Sequence, residues 1–183
     1  MLNNQIRIIA GRFRGRKLSF ASIEGLRPTS DRMRETLFNW LQNKIVGSLC
    51  LDLFSGSGAI GFEALSRDAK HVVMVDQSDQ VIAQLKENQK VLEVDNASII
   101  KINALDYLRR ASETFDLIFI DPPFKDQLIS ECLAIIKEKN LLSENGFIYL
   151  EDDRRLTLDD AWEIHKEKRM GKATAYLIKP NGK

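Results

Sequence analysis

One stretch limits the possible folds more than any other. A short apolar strand, Ser48 to Leu53, runs into the glycine turn Asp52-Leu53-Phe54-Ser55-Gly56-Ser57-Gly58-Ala59-Ile60-Gly61, and a helix follows to about Arg67. Strand, glycine turn and helix in that order start an open α/β sheet that binds a nucleotide-type ligand over the turn. Glycines at 56 and 58 let the backbone approach the ligand, and Gly61 lets the helix lie close to the sheet. The spacing fits G-x-G-x-x-G, which alone suits a dinucleotide equally well, with its pyrophosphate at the helix start. Asp52 points elsewhere, since a carboxylate here is unhelpful beside a pyrophosphate but reasonable beside a sulfonium or an ammonium. S-adenosylmethionine carries both cations.

The following strands repeat the pattern. His71 to Val75 ends in Asp76, about 20 residues beyond the glycine turn, where a carboxylate can accept both ribose hydroxyls. Ser98 to Ile102 ends in Asn103-Ala104-Leu105-Asp106, so an adenine edge can meet the Asn103 side chain and the Ala104 N–H, with Asp106 as the alternative partner. Each of these polar strand ends also reads as a helix N-cap, and that alternative stays open. The apolar run Phe115 to Ile120 ends in Asp121-Pro122-Pro123-Phe124. Two prolines fix φ and donate no N–H, so the carbonyls of Asp121 and Pro122 are not consumed by a ladder and can face a ligand. They offer acceptors to an exocyclic amine, and Phe124 offers a face on which a flipped base can stack, a contact worth roughly 1–3 kcal/mol. Four successive strands thus deliver polar residues at their carboxyl ends, where an open doubly wound sheet holds its ligands.

With 183 residues, 44% of them hydrophobic and 29% charged, the chain suits a soluble enzyme-sized unit. No apolar stretch reaches transmembrane length and no signal-peptide pattern is present, so no membrane partner and a cytoplasmic location are expected. Cys50 and Cys132 read as buried thiols, and the isolated His71 and His165 give no metal-ligand spacing. The formal charge of +1 hides an asymmetry: residues 1–34 hold eight Lys or Arg against two acids, whereas the remaining 149 hold 19 bases and 24 acids. Such a basic end suits nucleic acid. Gln5 to Ala10 and Arg16 to Phe20 form an expected hairpin around Gly11-Arg12-Phe13-Arg14-Gly15, in which arginines surround one aromatic.

Beyond it, residues 27–41 read as a capped amphipathic helix. Thr29, Ser30 or Asp31 can cap it, and Met33, Leu37, Trp40 and Leu41 form its buried stripe. Arg27, Arg32 and Arg34 are assigned to the methionine carboxylate or to RNA phosphate, and Thr29 to that carboxylate at the helix start. The RNA-facing set is therefore Arg7, Arg12, Arg14, Arg16, Lys17, Arg27, Arg32 and Arg34, on an extension of residues 1–24 ahead of a catalytic domain of residues 25–183. Helices over 79–94 and 127–139, a strand over 147–151 and an antiparallel hairpin over 162–178 complete the expected sheet.

These residues resemble the bacterial RsmD-type small-subunit rRNA guanine-N2 methyltransferases over nearly the whole chain. The likeness rests on Gln5 to Gly11, Arg14 to Leu18, Gly25 to Thr29, Arg34 to Leu41, the Asp52 to Gly61 turn and Asp121 to Phe124. Asp76 departs from the pattern, since many relatives carry Glu there. The resemblance implies a seven-stranded class I methyltransferase fold, mostly parallel with an antiparallel C-terminal edge. It implies S-adenosylmethionine as donor and a guanine of 16S rRNA, in an assembling 30S subunit, as acceptor. It further implies that Asp121, Pro122, Pro123 and Phe124 hold the target amine and that the glycine turn, with Asp52, Phe54, Ser55, Gly56, Ser57 and Gly58, holds the donor; Asp76, Asn103, Ala104 and Thr29 join the expected donor site on the residue readings above. A monomer that needs no metal is expected. The acceptor motif recognises an amine and not a particular ring, so an adenine-N6 enzyme stays open on the residues alone. A nicotinamide-dependent oxidoreductase leaves Asp121 to Phe124 without a role, and a silent assembly factor leaves the donor pocket without one.

Overall fold

The computed structural model describes residues 4–21, 29–122, 125–153 and 156–182. A hairpin, β1 (Gln5–Arg7) and β2 (Lys17–Ser19), precedes α1 (Asp31–Trp40). Then come β3 (Leu49–Asp52), α2 (Ala59–Ser66), β4 (His71–Asp76), α3 (Asp79–Leu92), β5 (Ala97–Lys101), α4 (Ala104–Arg110), β6 (Phe115–Ile120) and α5 (Lys125–Glu138). The chain ends in β7 (Leu142–Asp152), β8 (Trp162–Met170) and β9 (Ala173–Pro180). Strands β3 to β9 form one sheet in the order β5-β4-β3-β6-β7-β9-β8. Its inner parallel strands β3, β4 and β6 are buried and almost wholly apolar, as helices on both faces require. The antiparallel β8–β9 hairpin closes one edge, turning at Gly171 with φ 66°.

Chain order reverses direction between β3 and β6, which lie side by side in parallel. An open sheet forms its ligand crevice at such a reversal, outside the carboxyl ends of the strands. One apolar cluster includes α1, α2 and the hairpin, and a second fills the face covered by α4 and α5. Strand β7 begins five residues earlier than the apolar run suggests. An irregularity between Phe115 and Leu117 takes up the polar Ser143-Glu144-Asn145, and Asp116 accepts from the Ser143 hydroxyl and from the Leu49 N–H. In α1, Trp40 is only partly buried and Phe38 takes the interior position instead.

The N-terminal hairpin is bound into this body. Ile6, Ile8 and Leu18 join the first apolar cluster. Glu63 of α2 accepts from the Ile9 N–H at 2.8 Å and the Ala10 N–H at 3.0 Å. Arg34 also belongs to this junction, which corrects its assignment to RNA phosphate or ligand carboxylate. Its side chain is fully buried, donates to Glu63 at 3.3 Å, to Asp31 at 2.6 Å and to the Arg7 carbonyl at 2.9 Å. A buried guanidinium is tolerated where carboxylates and other acceptors compensate its lost hydration, and Glu63 supplies one of them from a second helix.

Candidate active site

At the crevice the glycine turn is built mainly by its own groups. Ser55 Oγ donates to the Asp52 carbonyl at 2.9 Å, the Gly58 N–H donates to the Ser55 carbonyl at 2.7 Å, and Ser57 Oγ accepts from the Ala59 N–H at 3.3 Å. Both hydroxyls, 6% exposed, therefore shape the loop. Gly58 sits at φ 75°, and a Cβ there would lie 2.6 Å from Leu85 Cδ2. A Cβ on Gly61 would overlap Met74 Cε, so α2 touches β4 as expected from the third glycine. What the turn leaves accessible is Phe54 and Gly56, both half-buried.

Asp52 is only 3% exposed and its Oδ2 accepts from the Gly61 N–H at 3.1 Å, so it lies beneath the turn at the start of α2. Burial is the main cause that raises its carboxyl to about 7; the Gly61 bond opposes this, and the nearby charges of Asp121 and Asp76 add to it. Asp76 closes the next strand. Its Oδ2 accepts from the Gly56 N–H at 3.1 Å and its Oδ1 from the Ser78 N–H at 2.8 Å. Each carboxylate oxygen has a second lone pair, so the residue that fixes the turn can also accept two hydroxyls.

One strand further, Asn103 caps α4, its Oδ1 accepting from the Leu105 and Asp106 N–H groups. The capping alternative therefore applies to that oxygen, while Ala104 is buried as the first helical residue. Asp106 is exposed and pairs with Arg109 at 3.2 Å. On the other side of β3, Asp121 is half-buried and Pro122 buried at the carboxyl end of β6; Pro123 and Phe124 lie outside the described residues. The sequence reading overlooked a second carboxylate here. On β7, Glu151 is 6% exposed and accepts from the Tyr149 hydroxyl at 2.9 Å. Burial holds that phenol well above its usual range, with Glu151 and Asp121 both adding to the effect. A lone acid after an apolar strand gave only a weak signal.

Asn103, Asp76, the glycine turn and Asp121 thus end four neighbouring strands and span roughly 14 Å at the usual strand spacing. The half-exposed backbone at Gly56 and the accepting carboxylate of Asp76 fit a ribose-bearing donor, and the acid groups Asp52, Asp76 and Asp121 fit a positively charged one. Among the described residues no cluster of three or more His, Cys, Asp or Glu is arranged to hold a metal ion.

The cations expected to meet RNA are distributed differently. Arg7, Arg12, Arg14, Arg16, Lys17 and Arg32 are exposed, and Arg27 lies outside the described residues. The hairpin tip docks at the far end of α2. The Arg12 N–H donates to the Ser66 carbonyl at 2.8 Å, its guanidinium reaches Asn96 at 3.4 Å and lies 4.5 Å from the Phe13 ring centroid. Ser66 ends α2 and Asn96 precedes β5, so the tip stands at the amino end of the sheet, roughly one strand length or 20 Å from the crevice. Thr29 lines a cavity of about 370 Å³ with Gln5, Ile6, Arg7, Lys17, Ser30 and Asp31, at the start of α1.

Comparisons with known proteins agree with this architecture. The profile of a family described as "Conserved hypothetical protein 95" matches residues 6–179. The Ribosomal RNA small subunit methyltransferase D of Haemophilus influenzae is 44% identical over 173 residues, covering 91% of this chain and 90% of its own. The protein of the same name from Escherichia coli K12 is 40% identical, covering 96% and 90%. A solved structure titled as the putative methyltransferase yhhF of Escherichia coli superposes with a TM-score of 0.90 at 40% identity, covering 98% of this chain and 99% of that one.

Proposed function

The chain belongs to the RsmD family of small-subunit ribosomal RNA methyltransferases, and from that premise we propose that it transfers a methyl group from S-adenosylmethionine to the N2 amine of a guanine in 16S rRNA during small-subunit assembly. The observation that carries this reading is the placement of Asp121 and Pro122 directly across the β3/β6 reversal from the glycine turn. A donor over the turn and an amine at Asp121 then meet in one crevice.

The donor supplies an electrophilic methyl group on its sulfonium. Asp76 binds and orients its ribose, and the Asp52 to Gly58 turn carries it along the backbone. The guanine amine is a poor nucleophile because its lone pair is conjugated with the ring. Acceptance of its two N–H groups by the Asp121 carboxylate and the Pro122 carbonyl favours a pyramidal nitrogen with the lone pair aimed at the methyl carbon. As the nitrogen becomes cationic, those acceptors hold it more tightly than in the ground state, which lowers the barrier. The proton leaves afterwards from an amine that has become acidic.

Residues 1–24 act in this reading as an RNA-binding extension and residues 25–183 as the catalytic domain, working as a cytoplasmic monomer. Among the described residues no helix is long and apolar enough to cross a membrane. The deciding experiment is transfer of labelled methyl to free rRNA, assembled small subunits and DNA, followed by nucleoside analysis. N2-methylguanosine from rRNA or subunits is the expected product, and N6-methyladenosine would replace guanine with adenine in the proposal.

A further inference from the structure

A hairpin tip at the amino end of the sheet leaves open which cations hold RNA beside the reacting base. We propose that the β8–β9 turn is a phosphate-binding clamp for the RNA strand next to the flipped nucleotide, an inference that rests on the RNA-methylating reading above. The register places it. Thr174 pairs with Asp152 at the carboxyl end of β7, and the Met170–Ala173 pair continues beyond it, so the turn projects past the parallel strands on the side of Asp121. Strand β9 is two spacings from β6 and β8 three, and the turn lies three to four residues beyond Ala175, which is level with Asp121, so it stands roughly 15–20 Å from Asp121.

Its charge fits a polyanion. Residues 166–172, the turn and the stretch of β8 leading into it, contain Lys166, Lys168, Arg169 and Lys172 against Glu167 alone, all four cations exposed, with Lys166 level with Tyr149 of β7 and the other three nearer the turn. The rim therefore changes sign, from Glu151 and Asp152 on β7, near the amine, to basic residues where the phosphates run. The turn is also fixed in place. Lys168 Nζ donates to Thr36 Oγ1 at 3.5 Å, and that hydroxyl lies 3.7 Å from Met170 Sδ, tying β8 to α1. A clamp held by both the sheet and a helix loses less order on binding than cations on a mobile loop.

The test replaces Lys166, Arg169 and Lys172 together with Gln and measures binding of 16S rRNA as a function of salt, beside donor affinity by calorimetry. A second triple variant, Lys86→Gln, Lys90→Gln and Lys137→Gln, removes the same charge from exposed positions of α3 and α5. The clamp variant should lose about 2 units from the slope of log affinity against log salt, at 0.7–0.9 per contact, with unchanged donor affinity. The control should keep its slope. An unchanged slope in the clamp variant, or the same loss in both, overturns the proposal. Weakened binding to assembled subunits with unchanged binding to free rRNA would place a ribosomal protein on this surface and likewise overturn it. Because the readout is binding, it stands apart from the product analysis that tests guanine methylation.

Discussion

Replacing Glu63 with Leu should cost a large share of the stability of the fold, because one carboxylate serves four donors. It accepts from the Ile9 and Ala10 N–H groups, from buried Arg34 at 3.3 Å and from Arg67 at 2.8 Å. Removing one partner of a buried ion pair costs about 3–5 kcal/mol, and the low end applies here because Arg34 keeps its 2.6 Å bond to the exposed Asp31. Two half-buried N–H groups without an acceptor add roughly 1 kcal/mol each, the low end of the usual penalty. The expected loss is about 5 kcal/mol, comparable with the whole stability of many domains. Arg34→Met leaves Glu63 with Arg67 and both N–H groups and should cost about 2 kcal/mol. In the double variant no buried cation is stranded, so its loss should fall short of the sum by at least about 2 kcal/mol. Urea unfolding followed by circular dichroism measures all three. A Glu63→Leu loss below about 2 kcal/mol, or strict additivity, would refute the idea that Arg34 depends on Glu63.

Three further outcomes test the crevice. Asp121→Ala should reduce methyl transfer by about 10²–10³-fold while donor affinity stays near normal, and near-normal turnover would remove Asp121 from the chemistry. Asp76→Ala should weaken donor binding by roughly 10–100-fold, the range for hydrogen bonds to a charged group, with RNA affinity unchanged; equal donor affinity by calorimetry would exclude the ribose contact. Asp52 has a folded pKa of about 7 against an ordinary 3.8, so its contribution to stability is fully present below pH 4 and is lost as pH rises through 7. Asp52→Asn lacks that loss, and the stability of the native chain relative to this variant should fall by about 4 kcal/mol between pH 4 and pH 8. Parallel pH profiles in urea unfolding would show that Asp52 is already ionised.

Much of the sheet was legible because its signals are local. Apolar runs such as Phe115 to Ile120 end in turn residues, and Gly58 and Gly61 sit where only a missing side chain fits, so the α/β order and the crevice follow from neighbouring residues. Arg34 was not legible in the same way. Within its own helix it reads as an exposed cation, and what buries it is Glu63, 29 residues away. The hairpin shows the same limit: its arginines and alternating residues predicted two strands, but its docking at Ser66 and Asn96 depends on distant contacts. Charge patterns reported affinity for a polyanion without indicating which end of the sheet would meet it. Asn103 illustrates a third case, in which one side chain fits a cap and a ligand contact equally well until the helix is seen to start there.

The junction at Glu63 also sets an order of events during synthesis. The hairpin is made first, yet the acceptors that hold it, Glu63 and Ser66, emerge 53–54 residues after Ile9, Ala10 and Phe13. A short two-stranded hairpin is marginal on its own, and at 5–20 residues per second that separation takes roughly 3–10 s. For that interval the most basic part of the nascent chain leaves the ribosome without the partners that hold it. Folding of α2 then withdraws Arg34 from solvent while the arginines of the hairpin stay exposed.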